Sequence, residues 1–152
     1  MKIYFLRHGV ADWPDWTESD DERPLTKKGT KETRKVAKFL HKLDAFPSVI
    51  LTSPLPRASQ TAAIAGKVLR CHVVEEAGLS PGCNITKLRA MLKKHSSQEL
   101  MVVGHEPDFS TLLAKLTGAR LKIAKSGVAL VEMDSEAAGK LLWLFPPQAA
   151  KA

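Results

Sequence analysis

A three-layer α/β/α fold, with a mostly parallel sheet and a C-terminal antiparallel hairpin, is predicted by three observations. Short apolar runs alternate with stretches of helical periodicity over most of the chain, the pattern of parallel strands joined by crossover helices. Several of these runs are followed at once by basic or imidazole side chains and a turn, as at Arg7-His8-Gly9 and Gly104-His105. The last two runs, 128–133 and 141–145, are separated by a turn containing Asp134, Ser135 and Gly139, which predicts a hairpin.

The first run, Lys2-Ile3-Tyr4-Phe5-Leu6, reads as a buried strand that delivers Arg7, His8 and Gly9 to the mouth of the sheet, where open α/β folds bind ligands. Gly9 lets the backbone turn sharply and approach a bound group. Residues 10–22 are polar and acidic without apolar periodicity and form a loop. It ends in Arg23-Pro24-Leu25-Thr26, where Thr26 is a suitable N-cap for a helix carrying Val36, Ala37, Phe39, Leu40 and Leu43. Val49-Ile50-Leu51 is a second buried strand. Pro54 and Pro56 punctuate the turn after it, and a helix follows to about Leu69. Arg57 falls in that helix's first turn, where positive charge opposes the helix dipole, so an anion-facing role suits it better than a structural one. Val73-Val74 is a short strand, 78–82 a loop, and Ile85, Leu88, Met91 and Leu92 mark a third helix. Residues 100–103 form the next buried strand, ending in Gly104-His105-Glu106-Pro107-Asp108 ahead of a fourth helix that stops at Gly118. Nothing in the tail from Pro146 predicts an anchor.

At 152 residues, 44% hydrophobic and 26% charged, the chain is expected to form one globular domain over 1–152 without a metal or disulfide staple. Met1 leads into a charged residue and a short strand, with no apolar segment of signal-peptide or membrane-spanning length, so a cytoplasmic location and no membrane association are expected. Cys71 and Cys83 lie in no ligand pattern and read as free thiols. The formal net charge of +7 favours anionic partners, but the lysines look dispersed and the aromatics do not interleave with them. Solvated helix surfaces are therefore expected, and no nucleic acid.

In a parallel sheet the ends of the first, second and fourth strands share one edge. Arg7, His8, Arg57 and His105 can therefore meet although nearly a hundred residues separate the first from the last. Two guanidinium forks suit the oxygens of a phosphoryl dianion, and neither loses its charge. A histidine between them is expected to be driven neutral by like-charge repulsion, which frees a ring lone pair to attack phosphorus.

These residues stand in a recognisable pattern. Arg7-His8-Gly9 after a first strand, Ser53-Pro54-x-x-Arg57-Ala58-x-Gln60-Thr61-Ala62 after a second, and Gly104-His105 before a helix resemble the histidine phosphatase superfamily, the phosphoglycerate-mutase-like fold. The short length, Arg23-Pro24-Leu25-Thr26-x-x-Gly29 and the Gly104–Asp108 segment look more particularly like the small SixA-type phosphohistidine phosphatases. The resemblance implies a metal-independent phosphatase with no cofactor. It implies His8 as the covalent nucleophile, with Arg7, Arg57 and His105 binding the phosphoryl group at a glycine-lined turn (Gly9). The implied substrate is a phosphohistidine-bearing signalling or phosphocarrier protein, acted on by a monomer. A phosphomonoesterase for small phosphoesters or phosphoserine, and a phosphate-binding module without turnover, are the alternatives. Mutase activity is disfavoured because the chain has little room for loops that exclude water.

The chain departs from the family pattern at the proton donor. Larger members carry a catalytic Glu or Asp in an insertion after the second motif, and residues 74–81 are too short to hold it. Glu76 does not align with the donor securely, and Asp12, Asp15 and Asp20 offer alternatives in a loop that otherwise reads as solvated surface. His41, His72 and His95 are expected at surface or helix-end positions. Trp13 and Trp16 either form a lip over the substrate or anchor the loop. Arg23 either extends the positive rim or pairs with the acidic loop, and the pairing is preferred.

Overall fold

Ile3 and Phe5 point to one face of the sheet and Tyr4 and Leu6 to the other, all four of them buried. This is the period of two expected of a central strand covered on both sides. In the computed structural model, which describes residues 1–150, that strand is β1 (Lys2–Arg7). It is followed by α1 (Lys27–Lys42), β2 (Val49–Thr52), α2 (Pro56–Leu69), β3 (His72–Glu75), α3 (Ile85–Lys94), β4 (Glu99–Gly104), α4 (Asp108–Thr117), β5 (Val128–Met133) and β6 (Gly139–Phe145). The six strands form one sheet in the order β3-β2-β4-β1-β5-β6. Pairing is parallel from β3 to β1 and antiparallel at β1-β5 and β5-β6, as expected for a crossover α/β fold closed by a hairpin.

On one face, Val36, Ala37 and Leu40 of α1 and Ala58, Ala62, Ala65 and Leu69 of α2 cover Tyr4, Leu6, Ile50, Met101 and Val103. On the other, Leu88 and Met91 of α3 and Phe109, Leu112, Leu113 and Leu116 of α4 cover Ile3, Phe5, Leu51, Leu100 and Val102. The alanine row lets α2 lie close to the sheet. Fully burying a leucine-sized side chain stabilises by about 1.5–3 kcal/mol, so these two layers supply the main drive to fold.

Thr26 caps α1 as its sequence position predicts, its Oγ1 accepting from Gly29 N at 3.0 Å. Val73 and Val74 lie in a strand that is exposed throughout and forms one edge of the sheet. The 78–82 loop begins with a short 3-10 turn, Ala77–Leu79, whose Leu79 is buried. The tail departs from expectation. Residues 147–149 make a further 3-10 turn, and Pro147 and Ala150 are buried. Ala150 joins the core beneath α1, so a small apolar contact holds what no periodic pattern announced. Cys71 and Cys83 are free thiols. Among the described residues no helix is long and apolar enough to cross a membrane.

Candidate active site

The register of the parallel strands places the chemistry. Arg7 stands opposite Gly104 and Thr52 opposite Val103, so β1, β4 and β2 end side by side. His8 N then donates to Gly104 O (3.1 Å), and Ser53 N donates to Val103 O (3.0 Å). His8 and His105 therefore follow adjacent strands, and their ring centroids lie 5.3 Å apart.

His8 is 8% exposed. Its Nδ1 is 2.8 Å from Gly9 O. A carbonyl oxygen only accepts, so Nδ1 carries the ring proton and, in the neutral ring, Nε2 keeps its lone pair. Burial above all brings His8 down to about 4; its bond to Gly9, the next largest influence, pulls upward, and the charges of Arg57, Arg7 and Lys125 each add a smaller downward push. The expected neutral ring is present, but desolvation outweighs the like-charge repulsion expected to produce it.

His105 is more buried still and is brought down to about 3, again by burial first and then by His8, Arg57 and Arg7. Its Nε2 is 2.8 Å from Ser53 Oγ, while its Nδ1 is buried without a partner. Arg7 donates from one terminal nitrogen to Ile123 O (3.0 Å), and its Nε is likewise buried and unpaired. Arg57 projects from the first turn of α2 and donates to Asp20 O at 3.1 Å. Burial lowers both guanidinium groups from their ordinary values. Two cations, two neutral imidazoles and unpaired buried nitrogens together make a site that a phosphoryl oxyanion would satisfy.

The remaining polar residues of the motifs hold this arrangement in place. Thr61 Oγ1 accepts from Gly9 N (3.0 Å) and donates to Arg57 O (2.7 Å), tying the turn after β1 to α2. Gln60 Oε1 accepts from Leu25 N (2.8 Å) and so fastens the segment that leads into α1. Gly9 acts differently from the expectation. Its N–H is taken by Thr61, its carbonyl orients His8, and a Cβ there would stand 2.7 Å from Thr33 Oγ1 and 2.9 Å from Ser126 Oγ. Close packing against α1, not a left-handed φ, requires the glycine. Ser53, Gln60 and Thr61 were visible as motif letters without roles. Glu106 carried no signal of its own: its carboxylate accepts from Ser110 N (2.7 Å), bonds Ser110 Oγ and accepts from Ile123 N (2.9 Å), which fixes the segment that Arg7 holds.

The profile of the histidine phosphatase superfamily (branch 1) matches residues 3–80, more than half of the chain. The chain belongs to this superfamily. An uncharacterized protein of Picosynechococcus is 39% identical over 84% of this chain and 82% of its own length. The phosphohistidine phosphatase SixA of Escherichia coli is 28% identical over 97% of this chain and 94% of its own. A solved structure of the protein histidine phosphatase SixA complexed with tungstate superimposes with a TM-score of 0.89 at 27% identity, covering 99% of this chain and 100% of that one. The class of activity is that of a phosphatase, a hydrolase, on a phosphoglycerate-mutase-like fold.

Two candidate acids of this histidine phosphatase, Asp12 and Glu76, are held in ion pairs. Asp12 lies 2.6 Å from Lys125 Nζ and 3.6 Å from Arg23, and the bond to Lys125 first of all holds its carboxyl below the usual range. Glu76 bonds His95 Nε2 (2.6 Å) and Lys94 Nζ (3.0 Å), and the His95 bond above all lowers it. Asp15 is exposed, and Asp20 meets the site through its backbone carbonyl. Arg23 does both things expected of it: it pairs with Asp12 and Asp20 (3.7 Å), and its charge is felt at Arg57. Trp13 and Trp16 anchor the loop by donating from their indole nitrogens to Pro24 O and Ser19 O, both at 2.8 Å. His95 ends α3, while His41 and His72 are exposed, in the last turn of α1 and at the start of β3.

Proposed function

We propose that the protein is a phosphohistidine phosphatase that works through a covalent phosphohistidine at His8. Supporting this reading is the His8 hydrogen bond to Gly9 O, which leaves Nε2 as the attacking atom beside Arg7, Arg57 and His105. The substrate phosphoryl group is held by the two guanidinium groups and by His105, whose Nδ1 donates to it when the Ser53 hydroxyl proton is directed to Nε2. Nε2 of His8 forms a bond to phosphorus as the substrate N–P bond breaks. The substrate imidazole, protonated beforehand, departs as a neutral ring. Water then attacks phosphorus, the Nε2–P bond breaks, and inorganic phosphate and one proton are released.

The preference for phosphohistidine over phosphate esters rests on the state of the carboxylates. Asp12 and Glu76 are held ionised by cations and hydrogen bonds, the wrong state for protonating a departing alkoxide. An imidazole leaving group, with a pKa of about 6.5, needs no such acid. The charge that Mg²⁺ supplies in other phosphoryl-transfer sites is assigned to Arg7 and Arg57, and the protein substrate to a phosphohistidine-bearing signalling or phosphocarrier protein. The test compares kcat/KM on a phosphohistidine peptide, a phosphoserine peptide and a sugar phosphate in the presence of EDTA. A phosphohistidine preference of about a hundredfold or more is expected, from the usual worth of general acid catalysis. Equal rates on the three, or loss of activity in EDTA restored by a divalent ion, would overturn it.

A further inference from the structure

The positive charge of the chain is concentrated, contrary to its dispersed look in the sequence. α1 holds seven basic residues, Lys27, Lys28, Lys31, Arg34, Lys35, Lys38 and Lys42, against the single acid Glu32. All seven are exposed, and none makes an ion pair among the described residues. Many of them stand three or four residues apart, as at Lys27/Lys31, Lys31/Lys35 and Arg34/Lys38, so the helix surface repels itself. Its first turn has no acidic residue, and Lys27 and Lys28 there also oppose the helix dipole. An anionic partner would relieve both penalties.

This surface runs into the mouth of the site. Lys28 and Glu32 line a cavity of about 440 Å³ together with Arg7, Lys122 and Lys125. The loop that reaches Arg57 is acidic: residues 15–22 carry Asp15, Glu18, Asp20, Asp21 and Glu22, and Arg57 bonds the backbone of Asp20, while Asp12 is paired with Lys125 on the Arg7 side. A substrate is thus offered positive charge on the Arg7 side and negative charge on the Arg57 side, an asymmetry that a bare phosphate has no use for.

We propose that the basic face of α1, continued by Lys122, docks an acidic segment next to the phosphorylated histidine of a protein substrate. This rests on the phosphohistidine reading and adds to it which protein surfaces are preferred. Electrostatic guidance of this kind raises encounter rates by about ten to a thousandfold and is screened by salt.

The experiment uses the full chain and two chemically phosphorylated histidine peptides of equal length, one with Glu-rich and one with Ser-rich flanks, and phosphoramidate as a small substrate. A Lys31→Gln/Lys35→Gln/Lys38→Gln variant is compared with the wild type. It relieves repulsion within α1, so it is expected to fold at least as stably. The wild type should favour the Glu-rich peptide by about tenfold or more in kcat/KM at low salt, and both the variant and high salt should erase the preference while phosphoramidate turnover stays unchanged. Equal use of the two peptides by the wild type, or a preference that survives in the variant, overturns the docking surface while leaving the phosphatase reading intact. Hydrolysis of none of the three substrates overturns both. Tighter binding of an oligonucleotide or of phosphatidylserine vesicles than of the Glu-rich peptide, lost in the variant, overturns it in favour of that other polyanion.

Discussion

The hydroxyl of Ser53 lies 2.8 Å from Nε2 of His105, and it is that ring's one hydrogen-bond partner among the described residues. Ser53 Oγ also accepts from Leu55 N at 3.3 Å, which favours sending its own proton to the imidazole and leaving the ring proton on Nδ1. On the proposed mechanism Ser53 is thus a positioning residue for the donor that His105 offers the phosphoryl group. Ser53→Ala is expected to cost about 1 kcal/mol, roughly fivefold in kcat/KM, and to shift the ¹⁵N signals of His105 toward the other tautomer. An unchanged His105 tautomer in the variant would contradict this role.

Burial of two neutral histidines links stability to pH. His8 falls to about 4 and His105 to about 3 in the folded chain, both below the unfolded value of about 6.5. The unfolded state then binds more protons in this window, so stability rises with pH there and is lost as pH falls from about 6.5 toward 4, by at most about 1.4 kcal/mol per unit for each histidine. Urea unfolding at steps across this range should show the decline, and His8→Asn should flatten it. A midpoint unchanged between pH 6.5 and 4 would contradict the buried neutral pair.

Gly29 makes a purely structural prediction. A Cβ there would stand 2.2 Å from Val10 O and 2.9 Å from Val10 N, backbone atoms that cannot rotate aside. Gly29→Ala should destabilise by about 1–3 kcal/mol, the usual cost of overpacking, seen as a lower urea midpoint. Gly82→Ala meets no neighbour within 4 Å but carries φ of +101°, so its cost is conformational and has a different origin.

Leaving-group basicity should control the rate. With Asp12 and Glu76 ionised, kcat/KM should fall steeply from aryl to alkyl phosphates. Asp12→Asn and Glu76→Gln should change phosphohistidine turnover by no more than about fivefold, the effect of losing about 1 kcal/mol of surface pairing. A shallow dependence, with one variant failing selectively on alkyl phosphates, would show that an acid operates after all.

Much of this was readable because the decisive residues sit where regular structure ends. A buried run that stops at Arg7-His8 must place those side chains at a sheet edge, and a proline-marked helix start does the same for Arg57. The strand alternation of residues 2–7 likewise predicts two covered faces. What could not be read depends on partners distant in the chain. Asp12 meets Lys125 across 113 residues and Glu76 meets His95 across 19, so no local pattern told a free acid from an engaged one. Gly9 looked like a flexible turn because its neighbours Thr33 and Ser126 approach it only in the folded chain. The tail looked unheld because one proline and one alanine, which carry no periodicity, anchor it. The charge of α1 was present in the letters, but its significance depends on which side of the site that helix flanks.

The central claim, attack by His8 Nε2, is tested most directly by trapping. The protein is mixed with ³²P-labelled phosphohistidine peptide, quenched within milliseconds, and the bound label mapped after proteolysis. Acid-labile, base-stable label on the peptide containing His8, absent from a folded His8→Ala variant that has also lost turnover, is the predicted result. Label appearing equally on His8→Ala, or turnover persisting in that variant, would contradict it.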